Sequence, residues 1–270
     1  LDLKDPANIE LVKSKIADYD IVIEQFRPGV MQRLGLDYQT LSEINPKLIY
    51  CSITGYGQTG TYKDKPGHDI NYLALSGIAG HSGRIENGPP ALGIQVADVA
   101  GGSMHAVIAI LAAVIERQQS GKGQYIDISM TDCVVTMSNL AASASLAGNQ
   151  HQSPESGYLN GGTFYDYYET QDGRYLSIGS LEPQFMQGLA QALELPILLE
   201  KGASYTAEAH AVVKQAIQNK IKTKSLAEWQ MLFAALDVCV EPVLRLEEAL
   251  HSDLAQQRGW VVQVPLKSSS

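Results

Sequence analysis

The strongest constraint on the fold is the alternation of short apolar runs with amphipathic segments in the first half of the chain. Residues 6–17 carry apolar side chains at helical spacing, and residues 20–24 form a short apolar run that ends at a polar turn. Residues 48–54 and 125–128 have the β-branched and aromatic content of strands. Further helices are predicted at residues 31–34, 38–44, 71–76, 101–119 and 130–147. Strands that alternate with helices favour a parallel sheet covered by helices, so we predict an α/β fold.

The pattern changes in the second half of the chain. Aromatic and β-branched runs at residues 163–170 and 174–179 flank a Gln-Asp-Gly turn and predict a hairpin. Three helices are predicted at residues 182–193, 206–221 and 225–236, the last with the capping-box pair Ser225 and Glu228. The polar segment 149–160 is the predicted linker. The predicted domains are a large α/β domain at 1–160 and a smaller α+β domain at 161–250. Residues 251–270 are predicted to return to the large domain, and residues 240–243 are expected to lead into that return.

Composition narrows the classes of protein. The 270 residues are 45% hydrophobic and 18% charged, which is enough for a substantial core in two domains. The net charge of -9 is opposite to that of a nucleic-acid-binding surface. The longest apolar run, residues 104–115, is shorter than the roughly 20 residues that a membrane span needs. Cys51, Cys133 and Cys239 are widely spaced, which predicts no disulfide framework and no metal site and suits the reducing cytoplasm.

Three acid-base side chains stand where predicted elements begin or end. His68 precedes a helix, Asp98 opens the Asp-Val-Ala-Gly-Gly sequence before a long apolar helix, and Glu182 lies at a strand-to-helix junction. Groups at such junctions reach a cleft while rigid elements hold them, so the three are candidate catalytic residues. The alternative is structural: a satisfied histidine, a helix N-cap and a first-turn carboxylate.

A glycine-containing loop, Gly-Tyr-Gly-Gln-Thr-Gly at residues 55–60, directly follows the second predicted strand. Its glycines allow backbone to approach a ligand at the carboxyl end of a strand, where open α/β sheets bind ligands. The spacing is not that of a dinucleotide fingerprint, and a plain turn is the alternative.

Five motifs in order resemble the α-methylacyl-CoA racemases of the family III CoA-transferase (CaiB/BaiF) superfamily. They are GHDINYLALSG at 67–77, ADVAGG at 97–102, GKGQ at 121–124, NGG at 160–162 and EPQF at 182–185. The resemblance implies a Rossmann-like large domain, an interlocked homodimer, an acyl-CoA substrate and no separate cofactor. It also implies that the family's first βα unit precedes Leu1 and that its return helix follows Ser270, so we expect a longer protein.

The resemblance also implies roles for the three residues. Racemisation removes the proton α to a thioester carbonyl and returns one to the opposite face, so two bases flank the carbon. His68, steered by Glu182 from the partner's small domain, serves one face and Asp98 the other. Each group alternates between base and acid, which for a carboxylate requires desolvation or a like charge to raise its pKa. The start of the Asp98 helix is expected to stabilise the enolate oxygen.

Asp132 supports a rival hypothesis. In the CoA-transferase branch, the Asp of a Ser-Met-x-Asp sequence forms a covalent acyl intermediate, and residues 129–132 fit that sequence. Against this, the transferases tend to have Tyr at the position of His68, and their glycine-rich lid has no counterpart here. One departure weakens the racemase hypothesis, because Ile94 stands where racemases carry Asn. An inactive CoA-binding member is the third alternative.

By the same resemblance, CoA contacts fall on the large domain. Gln25, Phe26, Arg27 and Arg33 are predicted near the nucleotide, with the two guanidinium groups facing phosphates. Gly57 and Gly60 are predicted near the thioester arm. Solvated surface arginines are the alternative for Arg27 and Arg33.

Overall fold

The computed structural model describes residues 1–148, 151–204 and 206–265. The chain divides between Pro154 and Glu155 into two compact units. This division lies inside residues 149–160, the predicted linker. The assignment of residues 251–270 to a return segment stays a prediction.

The first unit contains a three-stranded sheet and the helices that cover it. Its strands are β1 (Ile21–Glu24), β2 (Ile49–Thr54) and β3 (Tyr125–Ser129). Its described α-helices are α1 (Pro6–Ile16), α2 (Val30–Arg33), α3 (Tyr38–Ile44), α4 (Asp69–Leu75), α5 (His105–Ser120), α6 (Met130–Met137) and α7 (Asn139–Gly148). A short 3₁₀ helix spans Ala79–His81 and a π-helix spans Ala97–Met104.

The three strands are parallel and lie in the order β1-β2-β3, as the alternation of segments predicts. Successive side chains of a strand point to opposite faces of the sheet. On one face Cys51, Ile126 and Ile128 pack with residues of α5. On the other face Tyr50 packs with Leu41 of α3 in a second core. The predicted α/β class is confirmed, and both faces of the sheet are covered.

Two helices of the first unit differ from the prediction. The helix predicted at 101–119 begins earlier, as the π-helix, and continues into α5. Gly101 allows the π-helix to approach α6 closely, because a Cβ there would lie 2.9 Å from the carbonyl oxygen of Met130. The helix predicted at 130–147 is two helices, since the chain breaks at Ser138 between α6 and α7.

The continuous helical run Ala97–Ser120 is longer than the apolar stretch 104–115 on which the prediction about membrane spans was based, and that prediction stays untested. The run has 24 residues and a mean hydropathy of 1.8, so by length and composition it could cross a bilayer. A core helix of a water-exposed protein passes the same test, and one such helix is weak support for a span. Only 28% of its apolar 18-residue window is buried, and the run exposes an apolar stripe that we call the α5 stripe. The stripe consists of Met104, Val107, Ile108, Leu111 and Ile115.

The second unit packs helices on a small antiparallel sheet. Its strands are β4 (Asp166–Glu169), β5 (Tyr175–Ile178) and β6 (Val240–Pro242), in the order β4-β5-β6. Its described helices are α8 (Pro183–Leu193), α9 (Ile197–Lys201), α10 (Ala207–Ile221), α11 (Leu226–Phe233), α12 (Leu246–Leu250) and α13 (Asp253–Arg258). Trp229 and Leu189 are fully buried in the core between sheet and helices.

The hairpin and the capping box of the second unit are found where the sequence predicts them, whereas residues 240–243 differ from their prediction. Ser225 and Glu228 form the predicted capping box at the start of α11. Residues 240–243 were expected to lead away toward the large domain. Instead Val240–Pro242 is the third strand of the small sheet, because Ile178 pairs with Val240 in antiparallel register.

Candidate active site

A cavity of about 760 Å³ lies at the carboxyl ends of β1 and β2. Ligands bind at this end of the strands in open α/β sheets, so its position fits a substrate site. Its lining comes from the turn after β1, the loop after β2, the first turns of α4 and the π-helix, and the start of α6. These residues include Gln25, Phe26, Arg27, Thr54, Gly55, Tyr56, Lys63, Lys65, His68, Asn71, Tyr72, Asp98 and Met130.

His68 and Asp98 both line this cavity. His68 is the N-cap residue of α4, and its backbone N–H donates to the Asn71 side chain at 3.0 Å. The imidazole itself makes no capping hydrogen bond, and the side chain is exposed. A satisfied structural histidine would have a partner, so the geometry favours an imidazole that faces the cavity.

Asp98 is half-buried in the first turn of the π-helix. Burial raises the pKa of the Asp98 carboxyl, and the negative charge of Asp69 raises it further, whereas the charge of His68 lowers it. Desolvation and a like charge are the two causes that a carboxylate acid-base catalyst requires.

The start of the π-helix does not offer free donors to an enolate. The N–H groups of Ala97 and Asp98 both donate to one carboxylate oxygen of Asp69, at 2.6 Å and 3.1 Å. The next N–H, of Val99, donates to the carbonyl oxygen of Gln95 at 3.0 Å. The expectation that this helix start stabilises the enolate oxygen is therefore wrong, because its donors are already occupied.

Arg27 reaches the cavity from a tight turn after β1. The buried Glu24 accepts the N–H of Phe26 at 2.7 Å, which fixes the exit of the strand. Pro28 and Gly29, with φ of 79° at the glycine, then form a turn closed by the bond from Val30 N–H to the Arg27 carbonyl at 3.1 Å. Gln25, Phe26 and Arg27 are thus brought together at the cavity, and their predicted place near the nucleotide stays a prediction.

Two lysines that the sequence analysis missed also line the cavity. Lys63 and Lys65 lie on the loop between β2 and α4. The ammonium group of Lys65 lies 3.9 Å from the centre of the Tyr62 ring, which in turn contacts Tyr56 edge-on at 5.9 Å. With Arg27, these side chains give the cavity lining three positive charges.

The glycines that contact the cavity are not the predicted ones. Gly55 and Gly67 line it, and a Cβ on either would collide with the ring of Tyr72. Gly57 and Gly60 do not line it. Gly57 has a φ of 78°, so that glycine serves the left-handed turn of the loop, and a Cβ there would make only an ordinary contact with Ser129 at 3.4 Å.

A buried polar atom also faces the cavity without a partner. Thr54 is 7% exposed at the end of β2, and its hydroxyl has no hydrogen-bond partner within the described ranges. Buried hydroxyl groups are normally satisfied, so a water or a ligand atom is expected beside it. Within residues 1–148, 151–204 and 206–265 there is no cluster of three or more His, Cys, Asp or Glu side chains suited to a metal ion.

Residues 1–269 match the model of CoA-transferase family III. The chain belongs to CoA-transferase family III. It is 38% identical over 261 residues to mouse alpha-methylacyl-CoA racemase, covering 96% of this chain and 68% of that protein. It is 28% identical over 270 residues to human succinyl-CoA:glutarate CoA-transferase, covering 98% of this chain and 61% of that protein. The resemblance inferred from the five motifs is confirmed.

A solved structure supports the same fold. A CAIB/BAIF family protein from Brucella suis superposes with a TM-score of 0.80 at 28% sequence identity, covering 99% of this chain and 74% of that one. The parallel sheet with many helices is therefore the architecture of family III. The match extends over both compact units of the chain.

Asp132, the nucleophile of the rival family III hypothesis, does not line the cavity. It lies in the first turn of α6, where its N–H donates to the hydroxyl of Ser129 at 3.2 Å. Its side chain is exposed. Arg33, predicted near the nucleotide, also lies outside the cavity lining, at the end of α2.

Glu182 belongs to the second unit and is the N-cap residue of α8. Its carboxylate accepts no capping hydrogen bond, and the side chain is exposed. Burial raises the pKa of the Cys239 thiol, and the negative charge of Glu182 is the second cause of that rise. A structural capping role is therefore not supported, and its role in steering His68 stays a prediction.

Proposed function

We propose that this family III chain catalyses the racemisation of 2-methylacyl-CoA thioesters by α-proton exchange. In one direction the Asp98 carboxylate takes the α-proton, and the C–H electron pair enters the enolate whose charge lies on the thioester oxygen. The His68 imidazolium then returns a proton to the α-carbon from the other face. In the reverse direction the two groups exchange roles.

One observation carries this proposal: an imidazole without a capping bond and a carboxyl of raised pKa line the same cavity. A general acid-base pair works best when each group gains and loses a proton near the working pH. A carboxyl whose pKa is raised by burial holds a proton more readily than an ordinary Asp. The identity to the mouse racemase agrees with the same reaction class.

The direct test is isotopic. A single epimer of a 2-methylacyl-CoA, incubated with the protein in heavy water, is expected to gain α-deuterium and lose optical purity at related rates. Mass spectrometry of the thioester measures the first, and chiral chromatography of the released acid measures the second. An epimer that remains undeuterated and optically pure would contradict the proposal.

The second candidate is CoA transfer through Asp132. The exposed side chain of Asp132 is accessible, and a relative that covers nearly the whole chain is named as a CoA-transferase.

The variant Asp132→Asn, measured in the same assay, distinguishes racemisation from CoA transfer. Racemisation predicts exchange within about threefold of the wild-type rate, because the amide conserves shape. Transfer predicts instead that CoA passes to a free carboxylate acceptor in the wild type and that the Asn variant loses this activity. Bound CoA with neither reaction would favour an inactive member.

Arg27, Lys63 and Lys65 support a phosphate-binding role for one part of the cavity. CoA carries its charge on the nucleotide portion, and guanidinium and ammonium groups form strong charge-assisted hydrogen bonds to phosphates. The contact of Lys65 with Tyr62 holds the loop that presents both lysines. We infer that the nucleotide end of CoA lies against these three side chains.

The double variant Lys63→Gln with Lys65→Gln is expected to raise the KM for an acyl-CoA about tenfold, because two phosphate contacts are lost. The KM for the corresponding acyl-pantetheine, which lacks the nucleotide, is expected to stay unchanged. A matched double change of Lys4 and Lys15 to Gln, both outside the cavity lining, should alter neither value. Equal losses for the two substrates would indicate a damaged loop rather than lost phosphate contacts.

The α5 stripe supports the predicted homodimer. Leu111 is 58% exposed and Ile115 62% exposed, and contiguous apolar surface of this kind is typical of protein interfaces. We expect sedimentation equilibrium to give twice the chain mass of 29.2 kDa. Leu111→Asp is expected to weaken association at least tenfold, since a charge would be buried at the contact. A wild-type monomer at micromolar concentration would contradict the homodimer.

A further inference from the structure

Asp69 joins the two elements that carry the candidate acid-base pair. It is the first residue of α4, directly after His68, and it is part-buried. One of its carboxylate oxygens accepts the N–H groups of Ala97 at 2.6 Å and Asp98 at 3.1 Å. These bonds link positions 28 and 29 residues apart in the chain.

The two bonds fix the backbone from which the Asp98 side chain projects. Hydrogen bonds to a carboxylate are shorter and roughly twice as strong as neutral ones, and a negative charge is stabilised at the start of a helix. α4 and the π-helix also share a core in which Tyr72, Leu73 and Ala97 are buried. Asp69 therefore holds the two helix starts in one register, and with them the positions of His68 and Asp98.

Asp69 also sets the charge beside Asp98. Burial is the largest cause of the raised pKa of Asp98, and the negative charge of Asp69 is the second. The charge of His68 lowers the same pKa. The buried Tyr72 also feels the charge of Asp98, and its hydroxyl donates to the Gly67 carbonyl at 2.6 Å and feels the charge of Arg27. Of the groups facing Asp98, Asp69 is the one that combines a backbone contact with a like charge.

We propose that Asp69 is a positioning residue, which fixes Asp98 relative to His68 through two backbone bonds and holds a like charge beside the Asp98 carboxyl. This inference rests on the proposed proton-exchange function. It assigns Asp69 no contact with the substrate and no proton-transfer step.

Two variants separate the bonds from the charge. Asp69→Asn keeps a carbonyl oxygen that can accept both N–H groups but removes the charge, whereas Asp69→Ala removes both. For the epimer whose α-proton Asp98 abstracts, the acid limb of kcat/KM is expected to move to lower pH in Asp69→Asn. The reason is that Asp98 then loses its proton more easily, so the ratio of the rate at pH 5 to that at pH 8 rises about threefold. We expect kcat to stay within about tenfold of wild type in Asp69→Asn and to fall about 100-fold in Asp69→Ala.

Asp18→Asn is the control, because it removes one negative charge from an exposed position outside the cavity. It should leave both the pH profile and kcat unchanged. An acid limb that does not move in Asp69→Asn would overturn the charge role, and equal kcat values in the two Asp69 variants would overturn the role of the bonds.

A titration without substrate keeps the inference distinct from the proposed function. The ¹³C-carboxyl resonance of Asp98, assigned by its loss in Asp98→Asn, should titrate at lower pH in Asp69→Asn than in wild type. If wild type fails to exchange deuterium but this midpoint moves, the proposed reaction is wrong and the coupling of Asp69 to Asp98 stands. If wild type exchanges and the midpoint does not move, the inference about Asp69 is wrong.

Discussion

Asp98→Asn is expected to reduce α-proton exchange about 10³-fold and to raise the stability of the fold at pH 7. The loss of activity follows because the amide can neither take nor return a proton, and a positioned acid or base contributes on the order of 10²–10⁴ to a rate. The isosteric side chain leaves the two backbone bonds to Asp69 intact, since these come from main-chain N–H groups. Activity and stability should therefore change in opposite directions.

The sign of the stability change follows from the pKa of Asp98, which burial and Asp69 raise above its ordinary value. A raised pKa means that the folded state holds this proton more tightly than the unfolded chain does. The resulting stabilisation is fully present below the unfolded pKa and is lost as the pH rises through the folded pKa. At pH 7 the ionised carboxylate is unfavourable, and asparagine removes it.

The gain at pH 7 is at most about 1 kcal/mol, because Asp98 is partly exposed and solvent screens its charge. Urea unfolding at pH 7 and at pH 3.5 measures it, and the difference between variant and wild type should shrink toward zero at the lower pH. His68→Gln serves as the comparison, with a similar loss of exchange. An Asp98→Asn protein that is less stable at pH 7 than at pH 3.5, relative to wild type, would show that the carboxylate is favourably paired.

Local signals in the sequence were sufficient to predict much of the fold. α3 has the predicted bounds because Asp37 caps its first turn, with a bond from Thr40 N–H at 3.2 Å, and Asn45-Pro46 ends it. The capping box at Ser225 has the same local origin. The β-branched content of residues 125–128 predicts a strand, and β3 (Tyr125–Ser129) confirms it, with Ile126 and Ile128 packed in the same core.

The π-helix had no such signal. An α-helix and a π-helix differ in which carbonyl each N–H meets, and composition does not report this difference. Its position follows from tertiary contacts: Gly101 packs against the Met130 carbonyl, and Asp69 holds the first two N–H groups. For the same reason the sequence placed Asp98 at a helix opening and expected free donors there.

Residues of the candidate site that stand in a sequence motif could be predicted, whereas residues that only the fold brings to the cavity could not. His68 and Asp98 stand in two of the five motifs, Arg27 was assigned by the resemblance, and all three line the cavity. Lys63 and Lys65 follow no motif, and only the path of the loop from β2 to α4 brings them to the cavity that Arg27 also lines. The glycine-containing loop at 55–60 reaches the cavity through Gly55 and not through Gly57 or Gly60, and the ring of Tyr72 leaves no room for a Cβ on Gly55.

Gly55→Ala is expected to be the most damaging small substitution at the site. An added Cβ would overlap three atoms of the Tyr72 side chain, which is buried and bonded through its hydroxyl to the Gly67 carbonyl at 2.6 Å. The ring can move only by breaking that bond and its edge-on contact with Tyr56 at 5.2 Å. We expect a loss of about 2 kcal/mol in the free energy of unfolding. A fall of about 100-fold in kcat/KM is also expected, since Tyr72 lies on the helix that begins after His68.

Two further variants determine whether the Tyr72 ring causes the damage. Gly80→Ala is the matched control, because a Cβ there meets no atom within 4 Å, and it should change stability by less than about 0.5 kcal/mol. Tyr72→Leu removes the ring, so Gly55→Ala should cost much less in that background than in wild type. Groups in contact give such non-additive double-mutant cycles, whereas independent sites give additive ones. An equal cost in both backgrounds would place the strain in the backbone of the β2 loop instead of at the Tyr72 ring.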